Sequence, residues 1–147
     1  MRHVIAVRGI GRRGKTTTIR GVLDLLRQAH PNAPPEGMVH TRDIAVIIVI
    51  NGIKIGIESK GDPSTELRLR LQRLREAGCH IILCATRSRG ETVDAVKSLR
   101  PIYNVEWIDK ERSTATASQR QENAAMSQRI FERITTHLAS LREPSAS

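Results

Sequence analysis

Short apolar runs and helical stripes alternate along this chain. The run His3-Val4-Ile5-Ala6-Val7-Arg8 has strand length, and Ile19, Val22, Leu23 and Leu26 then recur at helical spacing over residues 17–29. Residues 30–37, His-Pro-Asn-Ala-Pro-Pro-Glu-Gly, end that helix in a stiff Pro-rich loop. Two β-branched runs follow, residues 44–50 and 53–57, joined by Asn51-Gly52. That dipeptide between such runs predicts an antiparallel hairpin closed by a type I′ turn. Gly61-Asp62-Pro63 then starts a helix, with Asp62 as its N-cap and Pro63 at the first position. Leu67-Arg68-Leu69-Arg70-Leu71 alternates like a strand, but Leu67, Leu71 and Leu74 share one helical face and Gly78 supplies a stop, which favours helix. Residues 80–85 form a buried strand, 91–99 a short helix broken by Pro101, and 105–108 a last strand. A small-residue linker at 113–117 leads to a final helix at about 119–142, with Ser118 and Gln121 as its capping box. Met126, Ile130, Ile134, Leu138 and Leu141 give that helix one apolar stripe. The pattern predicts one α/β domain over residues 1–142, three-layered, with about five strands and helices on both faces. Residues 143–147 are expected to be a disordered tail.

Between the first strand and the first helix stands Gly9-Ile10-Gly11-Arg12-Arg13-Gly14-Lys15-Thr16, a complete G-x-x-x-x-G-K-T phosphate-binding loop. Glycines let the backbone curl so that successive N–H groups converge on a phosphate. The helix start adds free donors and the positive end of its dipole. Lys15 would stabilise charge on β/γ-phosphates, and the Thr16 hydroxyl would take part in a magnesium shell. The expected nucleotide contacts are Gly9, Ile10, Gly11, Arg12, Arg13, Gly14, Lys15, Thr16 and Thr17. The implied cofactor is Mg2+ with ATP.

Charge changes this picture only modestly. The 147 residues carry 24 Lys and Arg against 15 Asp and Glu, a formal charge of +9, and most of the cations are arginine. A basic surface suits polyanions: nucleotide phosphates, a phosphorylated substrate or nucleic acid. One Phe, one Trp and one Tyr leave little material for stacking bases, so nucleic acid has only the charge in its favour. Arg68, Arg70, Arg73 and Arg75 read most simply as a solvated helix face. The longest apolar run, Ile44 to Ile50, has the seven residues of a strand, so no membrane span is expected, and because Met1-Arg2-His3 runs into a strand no secretory signal is expected either. Cys79 and Cys84 read as small buried hydrophobes of a reducing compartment, which points to the cytoplasm.

An antiparallel hairpin directly after the first strand and helix resembles the small GTPase-type branch of the P-loop NTPases. In that family the second hairpin strand ends in an acid followed by x-x-Gly; the acid binds magnesium through water and the glycine senses the γ-phosphate. Glu58-Ser59-Lys60-Gly61 places Glu58 and Gly61 at those positions, with Glu for the usual Asp. The resemblance implies Thr16 and Glu58 as metal ligands and Gly61 as a nucleotide contact; Asp62 and Asp109 are competing carboxylates. The family's guanine-reading Asn-Lys-x-Asp is missing, since Thr86-Arg87-Ser88-Arg89 and Asp109-Lys110-Glu111 stand in the corresponding loops, so ATP is the default nucleotide. Residues 54–63 and 84–90 also look like those of small uncharacterised bacterial P-loop proteins, and the loop 86–90 loosely resembles the lid loops of small P-loop kinases.

Arg87 and Arg89 follow a strand at its carboxyl end, where open α/β sheets bind ligands. Planar, bidentate arginines there suit a transferring phosphoryl group or a phosphorylated acceptor. The chain is therefore expected to be an NTP hydrolase acting as a switch or as part of an assembly with a protein partner. Lys15, Arg87 and Arg89 are its expected catalytic residues, and a small-molecule or nucleotide kinase transferring the γ-phosphate, with Arg87 and Arg89 on the acceptor, is the alternative. A nucleotide-regulated nucleic-acid-binding protein is a third class.

Overall fold

The computed structural model describes residues 2–9, 14–39, 43–59, 66–87, 90–110 and 116–142; the side chains of 116–118 and 142 are outside that description. In chain order the elements are β1 (Arg2–Arg8), α1 (Lys15–Ala29), β2 (Glu36–Val39), β3 (Ile44–Ile50), β4 (Ile53–Ser59), α2 (Glu66–Glu76), β5 (Ile81–Thr86), α3 (Glu91–Lys97), β6 (Tyr103–Asp109) and α4 (Thr116–Arg142). One sheet takes the order β2-β3-β4-β5-β1-β6. β5 and β6 flank β1 in parallel, β4 pairs β5 in parallel, and β3 runs antiparallel to both β2 and β4.

Strand alternation divides the core between two layers of helix. Ile5 and Val7 of β1 face α1 and α4, packing with Ile19, Leu23, Leu26, Ile130 and Ile134. Val4 and Ala6 face the other way and pack with Leu67, Leu71, Cys84, Val96 and Leu99. The layering follows from connection handedness. α1 carries the chain from β1 toward β2, whereas α2 and α3 carry it back across the sheet, so crossovers of one hand place them on opposite faces.

The Asn51-Gly52 hairpin forms as its sequence predicts, with both residues at positive φ, 52° and 80°. Leu67 and Leu71 are buried while Leu69 is 56% exposed, so the Leu-Arg alternation is a helix. Two expectations need correction. The sheet has six strands, because β2 emerges from the segment read as Pro-rich loop. This four-residue edge strand has no apolar alternation; Gly37, at φ 133°, closes its backbone onto Ala45, where a Cβ would collide. α4 starts at Thr116, so Ser118 lies inside the helix rather than capping it. β5 lies between β4 and β1 in the sheet. The cap assigned to Asp62 and Pro63 and the tail 143–147 lie outside the described residues.

Cys79 and Cys84 are free and buried, as expected of small hydrophobes, and burial pushes their thiols up to about 11 and about 12. No described helix is long and apolar enough to cross a membrane.

Candidate phosphate-binding site

The carboxyl ends of β1, β5, β6 and β4 bring Gly9, Thr86, Asp109 and Ser59 to one edge of the sheet. α1 leaves β1 toward one face and α3 leaves β5 toward the other, which makes the β1–β5 boundary the topological switch point where such sheets hold ligands. The Gly9 N–H donates across that boundary to Thr86 O at 3.3 Å. Gly14, at φ 99°, turns the chain into α1, and its carbonyl accepts the first helical bond from Thr18 N–H at 2.8 Å. Of the sequence-predicted nucleotide contacts, Gly9, Gly14, Lys15, Thr16 and Thr17 are described. Ile10, Gly11, Arg12, Arg13 and Gly61 lie outside the described residues, as does Arg89.

Lys15 reaches back over this turn. Its Nζ donates to Gly9 O at 2.8 Å and to Thr86 O at 2.9 Å. None of the ion pairs found among the described residues includes it. Desolvation, followed by the nearby charge of Arg87, holds its pKa below the usual lysine value. A half-buried ammonium resting on two neutral carbonyls keeps its charge uncompensated, which suits it to an anion. Arg87 is exposed, and its backbone N–H is fixed by the Thr92 hydroxyl at 2.9 Å.

The Thr16 hydroxyl meets the Ser59 hydroxyl at 3.0 Å. Glu58, expected beside Thr16, is not there. Alternation along β4 puts Ser59 on the α1 face with Ile55 and Ile57, and turns Glu58 to the α2 face, where it pairs with Arg70 in the interior. Its register partner is Cys84, whose thiol it raises further after burial. The two hydroxyls fit a magnesium ion that retains several waters and takes its remaining oxygens from phosphates. Glu58 does not fit as a ligand of that ion. No group of three or more His, Cys, Asp or Glu among the described residues could hold a metal by itself. Asp109, another candidate carboxylate, is held by Arg8 at 2.7 and 3.3 Å; that guanidinium, stacked 4.9 Å from the centroid of Trp107, lowers its pKa.

On the β6 side the structure adds residues the sequence reading did not select. Lys110 N–H donates to Arg8 O at 2.8 Å, and its side chain crosses Gly14 to reach Asn123 Oδ1 on α4. Asn123 and Ser127 lie four residues apart on the line that continues to Ile130 and Ile134. Two polar residues on an otherwise apolar stripe were the available signal. For Ser59 it was the period of the strand; for Thr86, a backbone acceptor, the sequence offers none. A hollow of about 480 Å3, bordered by Asp24, Arg27, His30 and Pro34, lies at the opposite end of α1 and shares no residue with this edge.

Comparison with family models, curated proteins and solved structures finds no match to this chain.

Proposed function

We propose that the chain is a magnesium-dependent ATP-binding protein of the P-loop type, hydrolysing the nucleotide as a switch or assembly component. The observation that carries the reading is Lys15, an uncompensated ammonium gathered onto the carbonyls of Gly9 and Thr86 at the switch point of the sheet. In this reading the ammonium exchanges those carbonyls for phosphate oxygens and stabilises charge that builds up as the terminal bond breaks. The described N–H groups at the start of α1 face the phosphates with the positive end of the helix dipole. Thr16 and Ser59 would hold magnesium, which supplies neutralisation of the β- and γ-oxygens when bound.

A kinase is the second reading, and one observation favours it. The Arg87 charge acts on Lys15 while its side chain remains exposed, a placement suited to a phosphoryl group passing to an acceptor.

Titration calorimetry with ATP, with and without magnesium, tests the first reading, together with release of inorganic phosphate. Magnesium-dependent binding with slow hydrolysis is expected, and both should be lost in Lys15→Ala. Equal ATP affinity in the folded variant would overturn it. A mass-spectrometric screen for phosphorylated metabolites after incubation with ATP separates kinase from hydrolase.

A further inference from the structure

We propose that Lys110, held by Asn123, is a second phosphate-binding cation of this site, and that the pair of lysines selects a chain of linked phosphates over a single one. The inference rests on the phosphate-site reading above and deepens it.

The two lysines approach the loop from different strands. Lys15 lies toward β5, on Thr86 O, and Lys110 arrives from β6, on the other side of β1. Lys110 is fastened at both ends of its span. Its N–H bonds Arg8 O, and its carbonyl lies so close over Gly9 that a Cβ there would collide. The side chain runs across Gly14, where a Cβ would find Lys110 Nζ only 3.1 Å away. The Lys110 carbonyl therefore requires glycine at Gly9, while at Gly14 it is the positive φ that favours glycine.

The ammonium is poised for an anion. It is half-buried, and its partner is the neutral amide oxygen of Asn123, which also accepts a long bond from Thr18 Oγ1 at 3.5 Å. No ion pair with Lys110 occurs among the described residues. Desolvation lowers its pKa, with Glu122 opposing. A primary ammonium has three donors, so phosphate oxygens can be added or exchanged for the amide without breaking a charge pair. Two cations that arrive from opposite sides of β1 suit an extended polyphosphate, which has several charged oxygens to share between them, better than a single phosphate.

Asn123 makes the site report to α4. Ser127, one turn further along, donates to Thr18 O at 2.7 Å and fills the space left open by Gly21. Withdrawing Lys110 from Asn123 removes a contact that ties the first half of α4 to the end of β6.

The test is calorimetry of the full chain with inorganic triphosphate, ATP and inorganic phosphate, in wild type, Lys110→Met, Lys110→Arg and Lys15→Ala. Methionine keeps the stem across Gly14 and removes the charge. Lys110→Met is expected to lose roughly tenfold or more in affinity for triphosphate and ATP, while phosphate changes little and Lys110→Arg recovers part of the loss. Hydrogen exchange supplies the readout that mere packing would not move. Triphosphate should alter protection over residues 119–127 in wild type and leave it unaltered in Lys110→Met. Wild-type affinity in Lys110→Met, with Lys15→Ala impaired, overturns this inference alone. Failure of wild type to take up ATP or triphosphate overturns the phosphate-site reading and this one together.

Discussion

The Lys15 ammonium lies 2.9 Å from the carbonyl oxygen of Thr86, a residue 71 positions away that ends the neighbouring strand. This contact places a cation over the boundary between β1 and β5, and no ion pair among the described residues includes it. Burial, and then the charge of Arg87, holds the folded-state pKa below the unfolded one. Stability linked to this group is therefore fully present above the unfolded value and is lost as pH falls through the folded one, so at neutral pH the charged side chain costs the empty protein stability. Lys15→Met should melt no lower than wild type without ligand. It should also lose the rise in melting temperature that ATP gives wild type. Thermal denaturation with and without ATP measures both, and a variant still stabilised by ATP would remove Lys15 from the site.

Ser59 takes the place near Thr16 that Glu58 was expected to hold. Ser59→Ala should raise the magnesium concentration needed for half-maximal turnover several-fold while leaving metal-free ATP affinity close to wild type. Magnesium titration of hydrolysis decides it. An unchanged magnesium requirement would separate the Thr16–Ser59 contact from the metal.

Glu58 and Arg70 join β4 to α2 in the interior, with side-chain exposures of 4% and 12%. Removing one partner leaves the other charge in a poorly solvated place, a loss of up to about 3–5 kcal/mol. Glu66, 3.5 Å from Arg70, reduces that loss when Glu58 is the one removed. Replacing both with apolar side chains costs much less. Glu58→Leu and Arg70→Met should each lower urea stability sharply, with the double variant recovering part of the loss. Equal and additive losses would show that the pair is not energetically coupled.

The hairpin and the position of Lys15 at the turn into α1 were legible because their signals are local. Asn51-Gly52 sets its own turn, and Lys15 and Thr16 are fixed by the spacing of the glycines before them. Glu58 was misplaced because its side of the strand is decided by where α1 packs, and because β5 lies between β4 and β1. β2 gave no pattern, since a short, exposed edge strand has no buried face to create one. Lys110 and Asn123 meet only once β6 pairs with β1 and α4 settles on α1, so no local pattern announces them.

Acid should loosen the other half of α4. Glu106 receives Arg133 Nη2 at 2.7 Å and lies 2.7 Å from His137 Nε2, while His137 stacks on His3 with centroids 3.7 Å apart. Burial first, then His137, lowers the His3 pKa; hydrogen bonding from Arg133 is the main cause that lowers Glu106. Both shifts are depressions, so the stability they give is present above the unfolded values and is lost as pH falls through the folded ones. Loss should begin below the ordinary histidine value of 6.5 and deepen below the ordinary carboxylate value of 4.5. Urea midpoints followed downward from pH 7.5 measure it. His3→Phe should flatten the first part of the decline, and an unchanged profile in that variant would exclude His3 as its source.

In the proposed reading, Arg87 is the side chain that would act on the terminal phosphate. It stands at the end of β5, exposed, yet its charge is one of the causes that lower the Lys15 pKa. A guanidinium in that position gains most when negative charge moves onto the transferring group, and arginines used this way contribute about 10³–10⁵ in rate. Because an exposed arginine adds little to binding the ground-state nucleotide, Arg87→Ala should keep ATP affinity within a few-fold of wild type. Phosphate release should slow by about 10²-fold or more. Single-turnover hydrolysis with bound ATP isolates the chemical step from product release. If that step is unchanged while Lys15→Ala abolishes binding, Arg87 belongs to a solvated turn, and hydrolysis proceeds with the loop, Lys15 and the metal alone. If hydrolysis is unchanged but transfer to a phosphorylated metabolite disappears, Arg87 holds the acceptor and the kinase reading displaces the switch.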